Sequence, residues 1–421
     1  MPARFAPVRL LFAWLGLGAL VGLFAGLASA LFLILFDLAI AYREGHEALV
    51  FALSLAGLVL GGLHERFGAP IRGGSSLLLE RAHSGGPPLP LRMAPMVLLG
   101  TVLTHLFGGS AGREGTAVQM GGALADTLAS RLALDAAQRR WVLVAGIAGG
   151  FASVFGTPIA GVVFGLEVVV LGRLAHAALL PALSAALVGD QVTRALLERA
   201  GHPHTAYPTL DPVPLTPGLA LGWILFAGAV ALAAVGFIEL THAVKSGLEA
   251  RLSSQPLRMA IGGAAVVLLW QLSGTSELLG LGVPTIVRAF SDPDLPAWFF
   301  AAKIGLTAIT IGAGFLGGEV TPLFFVGATL GAALAPLLGL PPALAAAAGM
   351  AATFAAASNT PLALSIMAVE LCGAAVLPHV LIVAALAYLL TGHRSIYPGQ
   401  RIERTKWGEE IPPRTLGGGP R

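Results

Sequence analysis

The chain has 421 residues, 56% of them hydrophobic and only 11% charged, with a mean hydropathy of +0.82. That balance excludes an ordinary soluble domain and places the chain in a membrane. The net charge of +3 sits at chain ends and in short loops, so it does not read as a nucleic-acid face, and the single cysteine, Cys372, excludes an intramolecular disulfide or a metal-ligand cluster.

Taken from the N-terminus, Arg4 and Arg9 precede an apolar run from Leu10 to Ala41 whose only charge is Asp37. The run is too long for the core of a cleaved signal peptide and predicts a first membrane helix entering from the cytoplasm. Further long runs fall at 48–64, 175–197, 217–243 and 258–272. Between them lie shorter segments cut by glycine and proline, at 94–109, 116–133, 141–155, 158–172, 297–315, 322–340, 342–357, 361–371 and 375–391. A plain span needs about 20 residues, so the short segments predict helices that stop partway and point their ends at a central site. The interval 202–217, with five prolines from Pro203 to Pro217, reads as a linker between two halves. Arg394, Arg401, Arg404, Lys406 and Arg414 then read as a cytoplasmic tail.

An internal repeat supports the division. Gly112-Arg113-Glu114-Gly115-Thr116 and Gly317-Gly318-Glu319-Val320-Thr321 share a Glu-X-Thr at an offset of 319 − 114 = 205. A second pair, from Thr157-Pro158 to Glu167 and from Thr360-Pro361 to Glu370, recurs at 361 − 158 = 203. The expected organisation is therefore a first repeat over 1–201, a linker over 202–217, a second repeat over 218–391 and a C-terminal segment over 392–421. Hydropathy alone leaves open whether the repeats run parallel or inverted.

Glu114 and Glu319 would both lie at membrane depth. An ionisable residue there costs roughly 2.5 kcal/mol or more and marks an ion or proton pathway. With the Thr-Pro helices and Tyr397, the Gly112–Thr116 motif resembles the CLC family of chloride channels and anion/proton antiporters, over nearly the whole chain. Thr116 stands where that family usually has proline. Gly318-Glu319-Val320-Thr321-Pro322 stands where the chloride-handling members carry Gly-x-Phe-x-Pro. Both departures resemble the fluoride-exporting branch. The resemblance implies an all-α polytopic membrane protein, with two inverted repeats and many short or broken helices. It also implies a homodimer with one pore per subunit, lying multi-pass in a bacterial inner (plasma) membrane and exporting fluoride in exchange for protons. No cofactor or metal is implied.

Physical roles can be set beside the resemblance. An anion in a low-dielectric pore needs hydrogen-bond donors and helix N-termini in place of water; segments beginning at Ser75, Gly115 and Val320 offer backbone N–H groups. An ionised Glu114 would compete for the anion site, and protonation would release it. An alternative is a structural carboxylate paired with Arg113. At Glu319 a fixed negative charge would repel an anion, whereas a neutral acid donates to it, and fluoride is the strongest acceptor among the halides. The alternative is a Glu319 that faces a polar cavity and satisfies helix-end N–H groups.

Expected anion-site residues are Ser75, Gly112, Arg113, Gly115, Thr116, Val320, Thr321 and Tyr397. Ser76 is nearly as plausible as Ser75, and either could instead cap a helix over Leu77–Ala82. Tyr397 could instead be an interfacial anchor, and Thr116 and Thr321 could bond back to their own helices. Glu167 and Glu370 read as structural helix-end or interface carboxylates, and His105 as a packing residue. The inner proton-accepting glutamate of chloride antiporters would fall at Val168, so a proton needs another path, through Glu319. Two rivals stand beside fluoride export. One is a chloride channel or chloride/proton antiporter; the other is an intramembrane acid-dependent enzyme, for which no catalytic Ser/His, Asp/Asp or His-Glu-X-X-His set is present.

Overall fold

The computed structural model of the protein describes residues 6–418, and Arg4 lies outside them. Eight helices precede the linker: α1 (Ala6–Glu44), α2 (Leu53–Phe67), α3 (Ser75–Ser84), α4 (Met93–Leu106), α5 (Glu114–Arg131), α6 (Ala136–Phe155), α7 (Pro158–Glu167) and α8 (Leu179–Ala200). Eight follow it: α9 (Pro217–Arg251), α10 (Gln255–Ser273), α11 (Val283–Arg288), α12 (Phe299–Gly312), α13 (Val320–Leu338), α14 (Pro342–Ser358), α15 (Pro361–Cys372) and α16 (Leu377–Leu390). The two sets run in the same order of long and short. Each opens on a very long helix of 39 or 35 residues, and each has a 14-residue helix before its Glu-X-Thr motif.

Local chemistry sets the breaks. Asp135 begins α6 with a reciprocal cap, its carboxylate accepting from the Ala137 and Gln138 amides at 2.9 and 2.8 Å. Gly156 ends that helix in the left-handed region, and Pro158 opens α7 one residue after Thr157. Asn359, Thr360 and Pro361 repeat the device between α14 and α15. The repeated Thr-Pro is thus the restart of a helix just stopped. Among the described residues, five helices are long and apolar enough to cross a membrane, α1, α9 and α13 included, while α4, α7, α12, α14, α15 and α16 are shorter apolar helices.

α7 and α15 lie side by side and exchange carboxylates. Glu370, near the end of α15, accepts from the Ile159 and Ala160 amides at 3.0 and 2.7 Å. Glu167, ending α7, accepts from the Leu362 and Ala363 amides at 3.2 and 2.9 Å. Each glutamate caps the other helix's N-terminus, where a negative charge is favoured, so the helices are antiparallel and related by exchange. Small residues bring other pairs close: at the α13–α14 crossing, a Cβ on either Gly327 or Gly349 would collide with the other's carbonyl oxygen.

The tail departs from a purely helical expectation. Arg401–Arg404 (β1) and Glu410–Thr415 (β2) form an antiparallel hairpin. Arg401 and Arg173 pair with Glu403 at 2.9 Å each, and Arg404 pairs with Glu410 at 2.6 Å. The basic residues of the tail therefore also build a small sheet against the turn that follows α7, where the Arg401 carbonyl accepts from the Leu171 amide at 2.8 Å.

Candidate functional site

The two glycine-flanked motifs meet at the centre of the molecule. Gly112 and Gly318 form an antiparallel bridge, their amides and carbonyls exchanging bonds of 2.6 and 2.7 Å. Only glycine allows this approach: a Cβ on Gly318 would lie 2.8 Å from the Gly115 nitrogen, and one on Gly112 would lie 2.9 Å from the Gly318 carbonyl oxygen. Immediately beyond the bridge, α5 starts at Glu114 and α13 at Val320, so two helix N-termini converge. A third arrives with α3, since the Ser75 hydroxyl would stand 3.9 Å from a Cβ on Gly115.

Glu114 is buried and lies across this junction. Its carboxylate accepts from the amides of Arg113 at 3.1 Å and Thr321 at 3.2 Å, and from the Thr321 hydroxyl. A first-repeat carboxylate therefore fills donors belonging to the second repeat's helix start. Those are the kind of donors an anion would use. The Arg113 guanidinium is only loosely engaged, 3.9 Å from Glu114 and 3.5 Å from Asp37.

Glu319 has a different outlook. It lines a cavity of about 830 Å³ with Gly74, Ser75, Ser76, Gln119 and Tyr397, together with Lys245 and Arg258 from the ends of α9 and α10. Ser75 accepts from the Gln119 side chain at 3.2 Å. Neither serine caps a helix over Leu77–Ala82: α3 begins at Ser75 itself, with Gly74 before it and no side-chain cap. The Tyr397 ring is buried, and its phenol lies within the fields of Glu319 and Glu114. Tyr397 is held by the Ser395 hydroxyl, which accepts from its amide at 3.0 Å.

Other expected residues fall elsewhere. The Thr116 hydroxyl pairs with that of Thr101 on α4 at 2.6 Å. His105 bonds the Thr101 and Ala111 carbonyls at 2.8 and 2.9 Å, a packing role. Val168 is buried, and its carbonyl accepts from the Gln400 side chain at 2.9 Å. Among the described residues no group of histidine, cysteine and carboxylate side chains could hold a metal.

Sequence reasoning missed the cover over Glu114. His202 and Thr205, on the segment joining α8 to α9, approach Asp37 and Arg113 at 3.4 and 3.5 Å. Arg113 also sits 5.6 Å from the Phe36 ring centroid. The lone charge of the first apolar run was the available signal, since Asp37 had to find a partner.

Helix N-termini meeting at a glycine bridge, a carboxylate seated among their donors and a cavity leading to a second carboxylate together define an anion-conducting membrane protein. The model of the voltage gated chloride channel family matches residues 56–392, and the chain belongs to that family, the CLC proteins. It is 44% identical over 95% of its length to a chloride/fluoride channel protein of Pseudomonas syringae pv. tomato, covering 88% of that protein. The crystal structure of a CLC-type fluoride/proton antiporter superposes with a TM-score of 0.89 at 35% identity, covering 93% of this chain and 98% of that one. A slow cyanobacterial Cl⁻/H⁺ antiporter shares the fold at a TM-score of 0.77 and 22% identity, covering 91% of this chain and 96% of its own. The protein is a multi-pass membrane transporter or channel and not an enzyme.

Proposed function

We propose that this protein exports fluoride across the cell's inner (plasma) membrane in exchange for protons. The observation that carries the reading is the placement of Glu319: a carboxyl group stands at the start of α13, on the cavity and two residues before the Thr321 that holds Glu114. A neutral acid there donates to the anion, and fluoride accepts a hydrogen bond more strongly than chloride. The likeness to a fluoride/proton antiporter at 35% identity supports the same substrate.

In this reading fluoride enters from the cavity past Ser75 and Tyr397 and takes donors from the backbone around Gly112, Arg113, Gly115, Thr116 and Val320 and from Thr321. It then displaces Glu114. A displaced Glu114 takes up a proton, returns neutral and passes the proton toward Glu319. Val168 leaves no titratable group at the position used by chloride antiporters, so anion and proton share one path. The molecule works as a homodimer with one pore in each subunit. Ile159 at the start of α7 and Leu362 at the start of α15 are exposed beside the exchanged carboxylates, and they support a partner at that face.

The test is transport by purified protein in liposomes loaded with fluoride or with chloride, with anion efflux and proton uptake recorded together. Fluoride efflux well above chloride efflux, with proton uptake in fixed proportion, is the expected result. Equal efflux of both halides would return the protein to the chloride-handling class, and fluoride efflux without protons would make it a channel.

A further inference from the structure

The cavity that holds Glu319 and Tyr397 is lined by the tail residues Thr415 and Gly417 and by the end of α2. Glu114 is screened from the opposite side, where the segment joining α8 to α9 crosses the molecule. That segment is pinned along its length: His204 meets the Ser153 carbonyl at 2.9 Å, the Leu210 amide donates to Cys372 at 3.0 Å, and His379 meets the Val213 carbonyl at 2.9 Å. Glu114 therefore has a cover, and a proton arriving from that side must cross it.

Among the described residues, one line of charged side chains in contact runs from solvent to Glu114. His202 approaches Asp37 at 3.4 Å, Asp37 approaches Arg113 at 3.5 Å, and Arg113 approaches Glu114 at 3.9 Å. Side-chain exposure falls along it, 29% at His202 and 32% at Asp37, 12% at Arg113 and 4% at Glu114. Two titratable groups thus touch solvent, and a permanent cation separates them from a buried carboxylate. A guanidinium does not give up its proton in a protein, so Arg113 cannot carry one. It stands between the two carboxylates, 3.5 Å from Asp37 and 3.9 Å from Glu114, so a proton that passes between them needs water as its carrier.

We propose that Asp37, with His202, is the proton port of Glu114 on the side away from the cavity, and that Arg113 is the residue that positions it. The inference rests on the antiport reading above. A proton from bulk water binds the Asp37–His202 pair. It then passes through water to a Glu114 displaced by the anion; Asp37 is left ionised, and Glu114 becomes the neutral acid. Arg113 keeps its charge throughout and loses one of its two anionic partners at each stage. Other charges stand around the line: Arg113 itself, with Asp190 and Arg194 of α8, paired at 3.2 Å, acts on His204 of the covering segment, and Arg43 and Glu44 end α1 beyond Asp37.

The experiment is fluoride-driven proton uptake into liposomes at external pH from about 5 to about 8, for wild type, Asp37→Asn, Asp37→Glu and His202→Gln. Asp37→Asn is expected to slow coupled transport by about tenfold or more at the alkaline end. The deficit should shrink toward the acidic end, where bulk protons reach Glu114 without a collecting group. Asp37→Glu should restore the profile, and His202→Gln should displace it in the same sense as Asp37→Asn. A merely structural Asp37 would change rate or yield with no change in pH profile, and that result overturns the port. If Asp37→Asn does not fold, His202→Gln decides alone, and a wild-type profile there overturns the port. Wild type moving fluoride without protons removes the antiport reading and the port together; coupled wild type with unaltered variants removes the port only.

Discussion

Glu114 and Glu319 sit in matching sequence, at matching helix starts, across one glycine bridge, yet their surroundings differ. Glu114 is caught on Thr321, while Glu319 looks into the cavity. Their threonines explain part of the difference. Thr101 and Thr307 occupy the same position of the two 14-residue helices α4 and α12. Thr101 takes the hydroxyl of Thr116 at 2.6 Å, whereas Thr307 pairs with Ser110 at 3.0 Å. Thr321 is thereby left free for Glu114. A symmetric scaffold thus presents one carboxylate seated among helix-start donors and one that faces the cavity, and the proposed antiport uses that inequality.

The sharpest way to break the comparison is Glu114→Gln. Glutamine keeps the shape and the acceptor but cannot ionise or carry a proton. Fluoride-driven proton uptake, read with a pH electrode beside a fluoride electrode, is expected to fall to background while anion flux continues at an altered rate. Uptake at the wild-type rate would remove Glu114 from the mechanism.

Glu319→Ala comes next. It removes a hydrogen bond to a charged partner, about 1.5–3 kcal/mol, so the fluoride-to-chloride efflux ratio should fall by about one to two orders of magnitude. Glu319→Gln keeps a donor but cannot titrate, and it should lose coupling while holding more of the selectivity. An unchanged ratio in Glu319→Ala would move selectivity to Ser75 and Tyr397.

The threonines offer a smaller and more pointed contrast. Thr321→Val removes a donor from an ionised carboxylate and is expected to change coupled transport by about tenfold. Thr116→Val removes a neutral bond to Thr101 and should cost about 1 kcal/mol of stability without altering the fluoride-to-proton ratio. Transport assays and detergent melting curves on the two variants check this, and equal transport effects would show that the two repeats are not divided as the hydrogen bonds divide them.

Much of this was legible in the sequence, because the membrane forces the signals into the open. Glu114 and Glu319 stand out as charges in apolar sequence, and the Thr157-Pro158 and Thr360-Pro361 restarts show where helices break. Glu167 and Glu370 could be read as helix-end groups from their place after those restarts. Their exchange between α7 and α15 could not, since it depends on which helices lie side by side. The Thr116–Thr101 pair was hidden for the same reason, as was the cover that brings His202 and Thr205 to Asp37 and Arg113. The hairpin of the tail escaped because Arg401 and Arg404 look like part of a basic run until their glutamate partners, Glu403 and Glu410, are known.

The smallest effect concerns the tail that carries Tyr397 to the Glu319 side. Lys406 folds back onto the end of α16, its ammonium donating to the Tyr388 carbonyl at 2.5 Å and lying 3.8 Å from the centre of that ring. Its amide donates to His393 at 3.1 Å. Burial lowers the ammonium from 10.5 to about 7. Between those values the unfolded chain holds a proton that the folded chain has released, so stability rises with pH across that window and is lost as pH falls toward 7. His393 is lowered too, by burial first and then by Lys406 and Arg414, and adds the same sign below its ordinary 6.5. The melting temperature in detergent should therefore rise by about 1–3 °C from about pH 7 to about pH 9. Lys406→Met, which keeps an apolar stem over Tyr388, should flatten that rise while leaving the part of the lower His393 limb that burial and Arg414 set. If the slope above pH 7 survives in Lys406→Met, the tail is not anchored through a partly discharged lysine, and the cavity side owes its pH dependence to other groups.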